Sequence, residues 1–127
     1  MHFFWFCDIK KSGCAHENEL AYASYDSYPV SKHHCLVIPK RHIKDYFDLT
    51  NEELLACNNL IKIVKNEIIN KDQSVKGFNV GTNIGKVSGQ SIFHCHIHLI
   101  PRREGGCHSS SAKLTRIAKS LSLTYRM

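Results

Sequence analysis

This chain has no apolar stretch long enough to span a bilayer. Its first aromatic run, Phe3-Phe4-Trp5-Phe6, is bounded by His2 and Asp8, whereas a spanning helix needs about 20 apolar residues. No membrane span is expected, and no N-terminal run reads as an export signal. Internal repeats are also absent, as are a Gly-Lys-Ser/Thr phosphate-loop ending and an RNP-type aromatic motif, so no specific nucleic-acid partner is expected. Acidic residues are the minority, 11 against 17 basic, giving a net charge of +6. That sign favours an anionic partner and is compatible with nucleotide phosphates, RNA or a membrane surface. With 127 residues, 43% of them hydrophobic and 22% charged, the chain fits a single domain over 1–127 and leaves no room for a second.

The six cysteines (Cys7, Cys14, Cys35, Cys57, Cys95, Cys107) form an even set. Without an export signal they are expected to be free thiols in a reducing, cytoplasmic compartment. Cys57 falls in a helical pattern and Cys35 and Cys95 among strand-like neighbours, places where a thiol acts as a small hydrophobe.

Residues 1–18 show no sustained period and read as an irregular opening segment. Strands are predicted over 19–26, over 34–38 up to Pro39, over 78–81 and over 92–100. Thr50-Asn51-Glu52-Glu53 carries a capping-box signature, and a helix is predicted from there to about Asn70. Its core face is expected at Leu54, Cys57, Ile61, Val64 and Ile68. A short helix is expected near Leu114 to Leu121, within a tail at 107–127. One main helix among short strands, with connections too short for parallel crossovers, predicts an α+β fold around an antiparallel sheet.

The nine histidines are unevenly placed, with His94, His96 and His98 alternating within Phe93 to Arg102. On a strand they would share one face, with Cys95, Ile97 and Leu99 on the apolar side. A single metal ion does not account for all three, because the outer pair stand roughly 13 Å apart on an extended chain. A hydrogen-bonded polar core and a catalytic site remain open readings. The preceding loop, Gly81 to Ser91, has three further features of interest. Gly85 and Gly89 allow close backbone approach, successive N–H groups can bind an anion, and Asn83, Gln90 and Ser91 add polar contacts.

The pattern His94-Cys95-His96-Ile97-His98-Leu99-Ile100 resembles that of the histidine triad (HIT) family. Asp26 to His42 resembles that family's first block and Asn83 to Ser91 its glycine-rich block, so the likeness runs from about Glu17 to Arg102. It implies a HIT-like fold with a sheet of about five strands, a homodimer, and a nucleotide substrate cleaved at the α-phosphate without a cofactor. Among family members the small hydrolases of dinucleoside polyphosphates are the nearest in pattern; a noncatalytic nucleotide- or RNA-binding module on the same fold is the alternative. By the same resemblance, His96 would be the nucleophile, its other ring nitrogen held by the carbonyl of His94. His98 would donate to phosphate oxygens, and Ser91 and Gln90 would contact the phosphate or the leaving group. Asn83 and Gly89 would line the phosphates, Asp26 would accept from ribose hydroxyls, and His34 would support the triad from behind. Aromatic residues near Tyr22 to Tyr25 would form the base pocket.

The sequence also departs from the family pattern. Some relatives hold structural zinc with two N-terminal cysteines and histidines like His42 and His94, but here Phe4 stands at the first cysteine position and no metal is expected. Position 33 is His where the family usually has Gly.

Overall fold

In the computed structural model, residues 14–105 are described. Residues 1–13 and the C-terminal segment with its expected short helix lie outside them. Helix α1, Asn51–Lys71, starts as the sequence predicts. Thr50 Oγ1 accepts from the Glu53 amide at 3.1 Å and the Glu53 carboxylate accepts from the Thr50 amide at 2.9 Å, which satisfies two otherwise orphaned donors. Of its expected core face Cys57, Val64 and Ile68 are buried and Ile61 packs half-buried against the core, whereas Leu54 is exposed and Glu53, Ala56 and Leu60 turn inward as well. The cause is long-range. Arg41 Nε and Nη2 each donate to the Glu53 carboxylate at 2.8 Å, so a charged residue can sit inside. The same pair holds the Glu53 carboxyl down to about 2.

Among the described residues the sheet has five antiparallel strands in the order β1-β2-β3-β5-β4. They are β1 (Cys14–Glu17), β2 (Ala21–Tyr25), β3 (Cys35–Pro39), β4 (Val75–Gly81) and β5 (Ile97–Arg103). Strand β1 corrects part of the irregular opening segment. It has only four residues and its register with β2 shifts between Cys14 and His16, so it carries no readable period. Strand β5 is displaced from the expected 92–100. It begins late because the Cys95 amide leaves the ladder and donates to the Ile43 carbonyl at 2.8 Å. It continues through Pro101, opposite Phe78 of β4, because β3 pairs with β5 only over 97–99 and no ladder bond is asked of Pro101 on that side.

Strand alternation divides the sheet into two faces. Ala21, Ala23, Cys35, Val37, Ile97 and Leu99 pack with Leu60, Val64 and Ile68 of α1 into the main core, where each fully buried Val, Leu or Ile contributes about 1.5–3 kcal/mol. Cys35, Cys57 and Cys95 are buried free thiols, with burial pushing their pKa values up to about 12, 11 and 12. Tyr22, Leu36 and Ile38 form a second cluster on the face away from the helix. Among the described residues no helix is long and apolar enough to cross a membrane.

Candidate active site

The open face carries the histidines. With Ile97 and Leu99 in the helix-side core, His98 must project the other way; in register it lies between Leu36 of β3 and Gly81 of β4. His34, just ahead of β3, meets it there, with Nε2 2.9 Å from His98 Nδ1. The proton positions follow from the partners. The Val30 amide donates to His34 Nδ1 at 3.1 Å, so His34 carries its proton on Nε2 and donates to His98 Nδ1. His98 then keeps its own proton on Nε2.

His96 precedes β5 and is almost wholly buried. Its Nδ1–H donates to the His94 carbonyl at 2.7 Å, which makes Nε2 the basic nitrogen. The rings of His96 and His98 stand edge to face with centroids 5.3 Å apart. Thr82, a residue the sequence did not single out, donates its hydroxyl to the His96 carbonyl at 2.7 Å and fixes this turn from the other side. Burial holds the imidazoles neutral, pulling His34 and His96 down to about 4 and His98 lower still.

The three triad rings do not line one face, as strand alternation alone would have it. The strand begins only at Ile97, and the His94 ring turns toward the 39–43 segment. There its Nε2–H donates to the Pro39 carbonyl at 3.0 Å, and its ring lies 4.8 Å from that of His42. His94 thus reaches the His96–His98 pair through its backbone carbonyl. The two Nδ1 atoms of His42 and His94 are 2.9 Å apart, a distance that fits a hydrogen bond between imidazoles. With Phe4 in place of a cysteine, the histidines and Cys7 offer at most three protein ligands, one fewer than a closed structural zinc site uses. No step below uses a metal.

The glycine loop is a built object. Gly85 and Gly89 adopt φ values of 86° and 98°, the left-handed region that a side chain would strain, at either end of a short 3-10 turn over Lys86–Ser88. Gln90 is buried and closes it. Its side-chain oxygen accepts from the Gly85 amide at 2.9 Å, and its amide donates to the carbonyls of Lys44 and Ile92 at 2.7 and 3.2 Å. Asn83 is buried and Ser91 exposed on the two flanks of the loop.

Asp26, just past the end of β2, is buried against His34. One carboxylate oxygen accepts from the Tyr28 amide at 2.9 Å; the other lies 3.7 Å from His34 Nε2 and accepts no hydrogen bond. Burial raises its pKa to about 6.

A helix-backed antiparallel sheet with a tautomer-fixed histidine beside a glycine loop defines a small α+β protein with a histidine-centred site. A model of the HIT domain matches residues 10–105, and the chain belongs to the HIT family. It is 36% identical to an uncharacterized HIT-like protein of Mycoplasma genitalium over 105 residues, 80% of this chain and 74% of that one. Over 115 residues, 87% of this chain and 58% of the relative, it is 34% identical to an adenylylsulfatase of Arabidopsis thaliana. The crystal structure of a hypothetical histidine triad nucleotide-binding protein from Sulfolobus tokodaii is similar to it with a TM-score of 0.72 at 30% identity, covering 96% of this chain and 94% of that one.

Proposed function

We propose that this chain is a nucleotide hydrolase or transferase that cleaves at the α-phosphate of a dinucleoside polyphosphate or related nucleotide through a nucleotidyl-histidine on His96. The observation that carries the reading is the 2.7 Å bond from His96 Nδ1–H to the His94 carbonyl, which leaves a neutral imidazole with its lone pair on Nε2. That lone pair attacks the α-phosphorus, a P–N bond forms, and the bond to the leaving group breaks with its electrons going to the leaving group. Water or another acceptor then attacks the same phosphorus, the P–N bond breaks, and the lone pair returns to His96.

His98, held with its proton on Nε2 by His34, donates to a phosphate oxygen as charge develops. Ser91 and the Gly89 backbone contact the phosphates, Asn83 positions them, and Asp26 accepts from ribose hydroxyls. Gln90 serves by keeping the loop closed as well as by bordering the phosphates. The S. tokodaii relative's description as nucleotide-binding and the Arabidopsis relative's name both support the reading, and the latter adds adenylyl sulfate to the substrates to test. Cytoplasmic residence is supported by the buried free thiols. A homodimer is expected from the family, and a monomer by light scattering would remove that part.

The test is rapid quenching during turnover of diadenosine polyphosphates, adenosine phosphoramidate and adenylyl sulfate. The expected product is an acid-labile, base-stable nucleotidyl adduct on His96, with net retention at a chiral α-phosphorus. A folded His96→Ala protein should bind nucleotide and lose about 10⁴-fold or more in turnover. Inversion at phosphorus, or near-normal turnover by that variant, overturns the proposal.

A further inference from the structure

A cleft of about 350 Å³ opens beside the sugar end of the site, lined by Tyr25, Asp26, Pro29, His33, His34 and Lys71. That is many times the roughly 30 Å³ of a water molecule, and of its wall the reaction proposed above uses only Asp26 and His34. Four features bear on what it holds. First, Asp26 forms part of its wall, and one of its carboxylate oxygens, buried 3.7 Å from His34 Nε2, accepts no hydrogen bond among the described residues, which leaves this residue with an unsatisfied acceptor. Second, Lys71 is anchored in the lining by donating to the Tyr25 hydroxyl at 2.8 Å with its ammonium 4.7 Å from that ring, and an ammonium has three donors to give.

Third, the charges acting on His33 are mostly positive: Lys71, Lys32 and Arg103 against Asp72. Asp26 in the wall and Glu67, which acts on Lys71, bring the anions to three, so the surroundings are balanced and Lys71 is the cation that forms part of the wall. Fourth, His33 holds φ 74°, in the left-handed region where a side chain costs energy, and its imidazole forms part of the wall. A strained residue retained in a cleft wall is a marker of ligand contact.

We propose that this cleft is a second anion subsite, taking a phosphomonoester on the ribose 2′- or 3′-oxygen of the nucleotide, with Lys71 as its cation. The proposal rests on the nucleotide reading above. The remaining sugar hydroxyl donates to Asp26, and the phosphate on the neighbouring oxygen enters the cleft whose wall both Asp26 and Lys71 form. The preferred substrates are then nucleotides phosphorylated on the sugar as well as at the 5′ end.

Calorimetric titration of the full chain with AMP, 3′,5′-ADP and 2′,5′-ADP tests it, and the two bisphosphates identify which oxygen carries the group. At least one bisphosphate should bind about fivefold or more tightly than AMP. Lys71→Met, a change at an exposed position, should abolish that gain and leave AMP affinity unchanged. If neither bisphosphate binds better than AMP, or the gain survives in Lys71→Met, the subsite is refuted while the nucleotide reading stands. If AMP itself fails to bind, the nucleotide reading falls and takes the subsite with it.

Discussion

The proton between His34 and His98 belongs to His34. Their ring nitrogens are 2.9 Å apart, and the Val30 amide already occupies the other nitrogen of His34, so only one direction of donation is open. A backbone N–H in the loop before β3 thereby sets the tautomer of a histidine on β5. ¹⁵N spectra should show His98 protonated at Nε2 and its Nδ1 shifted as a hydrogen-bond acceptor. In His34→Ala the acceptor signature should disappear and kcat should fall about 10- to 100-fold, the usual cost of losing a group that orients a reacting one. An unchanged Nδ1 shift would show that His34 does not orient the ring.

Asp26 should place an inflection in nucleotide binding. Its carboxyl, raised to about 6 by burial, is a full acceptor for sugar hydroxyls only above that pH. KM is therefore expected to rise as pH falls through about 6, while kcat holds to lower pH because His96 stays neutral down to about 4. Asp26→Asn should remove the inflection from KM. Its persistence in that variant would assign it to another group.

Stability should erode early in acid. His34 and His96 have folded-state pKa values near 4, below the ordinary value of 6.5 from which both are shifted. The unfolded chain thus binds more protons than the folded one as pH drops. Their contribution is complete above 6.5 and is lost progressively toward 4. Urea midpoints should fall between pH 7 and 5, and less steeply in His96→Ala. A flat profile over that interval in the parent protein would mean that these rings are not held neutral.

At position 33 the left-handed backbone and the side chain act in opposite senses. His33 Nε2 lies 3.4 Å from an Asp72 carboxylate oxygen, which offsets part of the strain. His33→Ala keeps the strain and loses the contact, whereas His33→Gly loses both. Thermal melts should rank the Gly variant above the Ala variant by about 1 kcal/mol. The reverse order would mean that the turn relaxes around the substituted residue.

What could be read from the sequence was local. Thr50 and Glu53 announce the start of α1 because both halves of the cap lie within four residues. The inward turn of Glu53 was hidden, since it depends on Arg41, a partner outside the helix. The alternating histidines marked a candidate site, and the bond from His96 Nδ1 to the His94 carbonyl is the one the family resemblance implied, but alternation overstated how the rings are arranged. Where the ladder begins at Ile97 depends on the Cys95 amide reaching Ile43, a contact with no pattern in the neighbouring residues. Thr82 left no signal for the same reason: its partner is a backbone carbonyl 14 residues away.

Pro101 bears on self-association. Among the described residues no strand pairs with the β3 side of β5 beyond Leu99, and backbone of that kind is where a stray strand from another molecule can dock. Here the imino acid has no N–H to offer, and its carbonyl is already taken by the Ser31 hydroxyl at 2.6 Å. The strand that carries His98 can therefore stay open at its far end without acting as a template for aggregation.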